Sequence, residues 1–329
     1  MRRYSRQIVF LGKEKQNKIL KSHIAIIGLG GTGSVAAEYL ARSGANLILI
    51  DRDIVELNNL QRQLYTQSDI GKPKAIALKE KLENVNNEIN IFAFCEDLNS
   101  TNIDDLLKNS DLIIDCTDNN ETRFLINDFC MKNKIPFIYT AAIRSEGIIS
   151  FIIPDKTPCL RCIIPKPSYY LDTCETVGVL SPVVGIIGLL ASIEAIKYIT
   201  NYKNIISNKI LHLDILENKF ELIKIKKRKK CITCNGIYEF LEKEINGIKK
   251  VCGSSFQFIP KEKIELDLEK IKNKIKRNQD FEIIRLHKFF LSMKYYNKNI
   301  TLFNNGRILI NNIKNEKEAK IIAGKILGF

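Results

Sequence analysis

HIAIIGLGGTGSVAAEYLARSGANLILID, residues 23–51, decides the fold. His23 to Ile27 is a short apolar, β-rich run, the glycines at 28, 30 and 33 mark a tight turn, and residues 34–43 are helix-like. A second apolar strand, 47–50, ends in Asp51. Strand, glycine turn, helix, strand and acid in that order form a βαβ unit, the building block of a parallel sheet. In Gly28-x-Gly30-x-x-Gly33 the backbone can turn sharply and approach a phosphate at the positive end of the helix. Asp51 is placed to accept hydrogen bonds from ribose hydroxyls. The motif alone admits either a dinucleotide or ATP.

Working outward, further strands are expected at 89–94, 112–114 and 137–139, with helices at 73–82 and 122–133. The segments 147–153, 210–214 and 221–225 read as antiparallel additions. Beyond Cys234 the pattern gives a strand at 256–259, a helix at 264–275, a hairpin around Asn304-Asn305-Gly306 and a closing helix at 316–327. The expectation is an α/β protein: a Rossmann-like, mostly parallel sheet with added antiparallel strands in 1–235, then a small basic α+β domain in 236–329.

The 329 residues, 45% hydrophobic and 27% charged, supply a packed core and exclude fibrous and disordered classes. Nine cysteines without an N-terminal apolar signal segment point to a reducing, cytoplasmic setting. The uncharged stretch 176–193 is broken by glycines and Pro182 and followed by Glu194 and Lys197, which suits a buried helix and not a membrane span. More than half of the +14 net charge lies beyond Asn235, and Lys224 to Lys230 is a basic run. With no nucleic-acid motif alongside, that charge reads as solvation or as steering of an acidic protein partner. Nucleic acid is not an expected partner.

Downstream of Asp51, Leu57-Asn58-Asn59-Leu60-Gln61-Arg62-Gln63 and Gly71-Lys72-Pro73-Lys74 set cations and amides near the nucleotide. Hydride transfer has no use for extra positive charge there. A triphosphate being cleaved does, because charge spreads over its oxygens in the transition state. Asp118, just past the strand 112–114, would sit at the carboxyl edge of the sheet and suits a magnesium ion, which takes one or two carboxylates. Asp115 is the alternative and is closer to a turn cap. His23, His212 and His287 belong to no motif and read as structural or exposed.

The glycine turn, the 59–63 run, Asp115-Cys116-Thr117-Asp118-Asn119 and Ala141-Ala142-Ile143-Arg144 together resemble the MoeB/ThiF/HesA adenylyltransferases, prokaryotic relatives of ubiquitin-activating enzymes. The likeness runs from about Tyr4 to Cys234. It implies that ATP adenylates the C-terminal glycine of a ubiquitin-like sulfur carrier ending in Gly-Gly. By the same resemblance Gly31 and Asp51 hold the nucleotide, Asn58, Asn59, Arg62 and Lys74 contact it, Asp118 binds magnesium and Asn119 lies beside it. Arg6 resembles an arginine that reaches into the neighbour's site of a homodimer. An NAD-dependent oxidoreductase, or adenylation of a tRNA or small molecule, remains the alternative.

Cys159-x-x-Cys162 and Cys231-x-x-Cys234 are two knuckles suited to a structural zinc site, with redox pairs as the alternative. Cys174 belongs to neither and stands where the family often places its transfer cysteine, competent as a thiolate. Cys95, Cys116, Cys130 and Cys252 read as core or incidental thiols. Some relatives carry a C-terminal rhodanese domain. Cys252, in VCGSS, has no such loop around it, so sulfur is expected from a separate donor.

Overall fold

The structure is a computed structural model describing residues 2–166, 177–243, 247–250, 255–260, 264–276, 278–313 and 315–328. The expected roles of Cys174 and Cys252 fall outside these residues. Two units divide the chain, Met1–Lys243 and Glu244–Phe329. The first runs past residue 235 because Tyr238, Phe240 and Leu241 pack onto its core.

That unit begins with α1 (Ser5–Leu11), α2 (Lys13–Lys21), β1 (His23–Ile27), α3 (Gly31–Ser43) and β2 (Asn46–Ile50). It continues through α4 (Lys74–Val85), β3 (Ile91–Phe94), α5 (Ile103–Leu107), β4 (Leu112–Asp115), α6 (Asn120–Asn133), β5 (Phe137–Ile143) and β6 (Glu146–Ile152). It closes with α7 (Leu160–Ile163), α8 (Ser181–Ile199), β7 (Lys209–Asp214) and β8 (Lys219–Lys224). The eight strands form one sheet in the order β3-β2-β1-β4-β5-β6-β7-β8. Pairing is parallel from β3 to β5 and antiparallel from β5 to β8. Successive residues of β1 face opposite cores: Ile24 and Ile26 belong to the one that holds Leu40, Leu47 and Ala191, whereas Ala25 and Ile27 belong to the one that holds Phe129 and Leu160. Chain order reverses between β1 and β4, so their carboxyl ends flank the crevice where open α/β sheets bind ligands.

Helix α8 is long and apolar enough to cross a membrane by length and composition. It is instead a core helix, with Val183, Val184, Ile187 and Ala191 buried and packed on α3, β5 and β6. It starts at Ser181, with Pro182 in the first turn where a missing N–H costs nothing. Its contact with α3 is backbone-close: a Cβ on Gly188 would lie 2.5 Å from the Thr32 carbonyl oxygen, and one on Gly31 would lie 2.6 Å from Val184 Cγ2. Among the described residues, nothing lies within 4 Å of a Cβ on Gly185. Gly185→Ala therefore raises the unfolding free energy by roughly 0.5–1 kcal/mol, whereas Gly188→Ala lowers it by about 1–3 kcal/mol. Denaturant titration of both variants checks the opposite signs.

The second unit is a six-stranded antiparallel sheet built from β9 (Ile248–Lys250), β10 (Phe256–Phe258), β11 (Phe281–His287), β12 (Phe290–Tyr295), β13 (Lys298–Phe303) and β14 (Ile308–Ile310). Their order is β11-β12-β13-β14-β10-β9. Helices α9 (Leu268–Ile275) and α10 (Glu316–Leu327) share its core with Leu291, Ile300 and Ile310. The hairpin expected at Asn304-Asn305-Gly306 joins β13 to β14, with Gly306 at φ +80°. The helix expected from residue 264 starts only at Leu268, because the Asp267 side chain accepts the Lys270 N–H at 3.1 Å and caps it.

Candidate functional site

Three chain segments meet at the carboxyl ends of β1, β2 and β4. The first is the glycine turn. Gly28 takes φ +83°, and a Cβ there would lie 2.7 Å from the Cys116 carbonyl oxygen, so β1 and β4 close together only around a bare Cα. A Cβ on Gly33 would fall 1.9 Å from the Gly28 carbonyl oxygen. Gly30 is different: the nearest atom, Gln63 Nε2, is 3.8 Å away, so its face of the turn stays open. Helix α3 starts inside the motif at Gly31, earlier than the residue 34 expected from sequence, and no side chain caps it. Its first amides are thereby available to an anion. Gly31 itself faces Val184 and the Arg62 carbonyl, so its bareness serves helix packing beside the turn.

Asp51 directly follows β2 and is 8% exposed. Its Oδ2 accepts the Leu29 N–H at 2.6 Å and its Oδ1 the Asp53 N–H at 2.7 Å, which locks the carboxylate onto the turn. Burial pushes this carboxyl up; Lys74 and the two N–H groups pull it down without cancelling the rise. Tyr65 ties the turn from the other side, its O–H donating to the Leu29 carbonyl at 2.9 Å.

Lys74, first residue of α4, is 7% exposed, and its Nζ lies 3.2 Å from Asp53 Oδ2. Burial alone would lower its pKa, but Asp53, Asp51 and Asp118 outweigh that and hold it above the ordinary lysine value. It is a fixed cation facing carboxylates. Asp53 went unassigned in the sequence reading; its spacing of two from Asp51 was the available signal. Arg52 donates to Asp97 at 3.0 Å, and burial is again outweighed by Asp97, Asp53 and Asp118, which raise its pKa.

The 57–63 run is a tight turn. Asn59 is buried, with its Oδ1 accepting the Glu56 N–H at 3.0 Å and its Nδ2 donating to Asn58 Oδ1 at 2.9 Å. Its amide thus shapes the turn, while Asn58 is exposed and the half-buried Arg62 donates to the Asn58 carbonyl at 3.1 Å. Gln63 is 6% exposed, close to Gly30, and its Oε1 has no hydrogen-bond partner among the described residues. A buried acceptor beside the open face of the turn makes Gln63 a candidate for the site, one that its place in the 57–63 run does not announce.

The third segment follows β4. Asp115 is fully buried and its Oδ1 accepts from Thr117 N (3.0 Å) and Thr117 Oγ1 (2.7 Å), so it caps its own turn. Burial pushes its carboxyl up, against Arg123 and Thr117. Asp118 is exposed and within electrostatic reach of Lys74, Arg52 and Asp115. Asn119 is committed as the N-cap of α6, accepting the Thr122 N–H at 2.9 Å. Arg6 is apart from this cluster, exposed on α1. An exposed carboxylate within electrostatic reach of a buried cation, together with the uncapped amides of the glycine turn, has the donor set for a magnesium nucleotide.

Elsewhere in the unit, the Sγ atoms of Cys159, Cys162, Cys231 and Cys234 all lie within 4.8 Å of one another. The separations are 3.4 Å for Cys159–Cys231 and for Cys159–Cys234, 3.6 Å for Cys162–Cys234 and 4.0 Å for Cys159–Cys162. Zinc–sulfur bonds of about 2.3 Å in a tetrahedron require sulfurs about 3.8 Å apart, so the four residues fit zinc. Four thiolates would fill its coordination and leave no open position for chemistry.

The ThiF family profile matches residues 4–234. The sulfur carrier protein ThiS adenylyltransferase of Bacillus subtilis is 32% identical over 99% of this chain and 99% of its own length. The molybdopterin-synthase adenylyltransferase of Escherichia coli is 37% identical, over 71% of this chain and 96% of its own. Among solved structures, E. coli MccB superposes with a TM-score of 0.63 at 24% identity, over 70% of this chain and 74% of that one, which speaks to the fold. The glycine turn, Asp51, the buried Lys74 and both cysteine pairs all fall within the matched residues, and the chain belongs to the ThiF family.

Proposed function

We propose that this chain uses ATP to adenylate the C-terminal glycine of a ubiquitin-like sulfur-carrier protein, releasing pyrophosphate. The observation that carries this reading is Lys74, a buried cation fixed by Asp53 beside Asp51, where cleavage of a triphosphate gains from positive charge and hydride transfer does not. The glycine turn at Gly28, Gly30 and Gly33, shaped by Gly31, seats the phosphates against α3, and Asp51 takes the ribose. Asn58 and Arg62 stand beside them, with Asn59 and Asn119 shaping the loops. Asp118 holds magnesium, which when bound neutralises phosphate charge.

The attacking glycine carboxylate is ionised near neutral pH, so no general base is needed. Its oxygen bonds to the α-phosphorus as the bond to the pyrophosphate oxygen breaks, and Lys74 and Arg62 offset the charge gathering on the departing oxygens. The four-cysteine cluster holds structural zinc. Arg6 serves the neighbour's site in a homodimer, a reading supported by Val9 and Phe10 on the same helix, which are 85% and 79% exposed. The full-length match to the ThiS adenylyltransferase, second unit included, favours a ThiS-like carrier. A cytoplasmic setting and a separate sulfur donor complete the reading.

Exchange of labelled pyrophosphate into ATP tests the reaction. It is expected only when a carrier ending in Gly-Gly is added, and a carrier lacking its last glycine gives none. Tight binding of a pyridine dinucleotide with no exchange under any condition would refute the proposal. Cys174→Ala is expected to retain exchange and to lose any covalent carrier adduct on a non-reducing gel. Loss of exchange in that variant, still folded, would assign Cys174 to the first step instead.

A further inference from the structure

The cysteine cluster and the loop bearing Asp118 share one helix. Asn127 and Asp128, in the middle of α6, are both 0% exposed. Asn127 Oδ1 accepts the Leu160 N–H at 2.8 Å, which grips the first knuckle between its two cysteines. Asp128 grips the second: its Oδ1 accepts the Thr233 hydroxyl at 2.8 Å and its Oδ2 the Phe240 N–H at 3.1 Å. Asn127 Nδ2 donates to Asp128 Oδ1 at 3.2 Å, so the two grips are one network. Arg161 adds to it, lying over the rings of Phe124 on α6 (5.1 Å) and Phe240 (5.2 Å).

At its amino end α6 carries Asn119 as its cap and follows Asp118 directly, while Arg123 donates to the Thr117 carbonyl at 2.6 Å. From Asn119 to Asp128 the helix rises about 13 Å, a rigid distance over which a shift at one end reappears at the other. We infer that Asn127 and Asp128 are positioning residues, a latch through which the filled cysteine cluster fixes α6 and thereby the Asp118 carboxylate. The inference rests on the zinc and magnesium assignments proposed above. A carboxylate that orders the backbone around metal ligands is the kind of outer partner whose loss weakens a metal site about 10–100-fold. Asp128 suits the task because one oxygen is engaged inside the second knuckle, by Thr233, and the other by Phe240 on the chain that follows it.

The test uses full-length protein with zinc content measured. In Asp128→Asn the new amide N–H₂ faces either the Phe240 N–H or the Asn127 N–H₂ beside the Thr233 hydroxyl; the hydroxyl can turn and accept, but neither N–H can, so one bond of the network is lost in either orientation. Zinc transfer to a colorimetric chelator, followed well below the melting temperature, is expected to run about tenfold faster than in wild type. The gain in ATP affinity on adding magnesium shrinks in the same variant, and affinity without magnesium is unchanged. Thr233→Val, which removes one hydroxyl, gives the same two changes at smaller size and decides the matter if Asp128→Asn does not fold. Zinc release and magnesium dependence equal to wild type in folded Thr233→Val would overturn the latch while leaving the zinc assignment intact. A wild-type protein that takes up no zinc would overturn the metal assignment and the latch together.

Discussion

Gly33→Ala is expected to abolish ATP binding. The added Cβ would lie 1.9 Å from the Gly28 carbonyl oxygen and 3.2 Å from Cys116 Cβ, and the first of these is backbone that no rotamer change can clear. Relief must come from moving the turn, and the turn is pinned by Asp51 through the Leu29 N–H and by Tyr65 through the Leu29 carbonyl. Displacing a packed backbone costs about 1–3 kcal/mol or more, and misplacing the cradle adds its own loss of affinity. An affinity loss of at least about 100-fold, near 3 kcal/mol, is the expected reading from nucleotide titration. Circular dichroism separates this from unfolding. A folded Gly33→Ala that binds ATP as wild type does would show that phosphates sit elsewhere.

Asp118→Ala ranks second. An exposed carboxylate contributes little to stability, so the melting temperature should barely move, yet pyrophosphate exchange is expected to fall by about 100- to 1,000-fold, the usual cost of deleting one charge-stabilising group at a reacting centre. Raising magnesium should recover part of the rate, because the deleted carboxylate set the ion's affinity and not the carrier's. A variant with reduced rate and unaltered magnesium dependence would move the ion to another carboxylate, and Asp53, already against Lys74, is the next in line.

Much of this was legible in the chain because local chemistry and global fold agree around residues 23–51. The strand, turn and acid there are each held by backbone contacts, Asp51 by the Leu29 and Asp53 N–H groups, and each appears where its residue type demands. What stayed hidden depended on partners distant in sequence. That Val184 packs against Gly31 is written nowhere near the turn, and Asp53 looks like a surface acid until Lys74 folds onto it. Strands β11 and β12 escaped notice because charged residues are interspersed through the first and no glycine or proline separates the two. The turn into β13 is made by Tyr296 at φ +52°, a residue that announces nothing. Helix α5 is short, and its Asp104 and Asp105 read more readily as loop.

Strand β8 ends the eight-stranded sheet with all six residues exposed, among them Phe220, Leu222 and Ile223. Such a border is a template for unwanted pairing between copies, and Lys219 and Lys224 at its tips, with the lysines that follow, act as like-charged guards. Guards of this kind work only within about 10 Å at 0.1 M salt and weaken as salt rises. Concentrated stocks in strong brine should therefore turn cloudy sooner than dilute-buffer ones, and a single lysine in place of Leu222 should keep them clear.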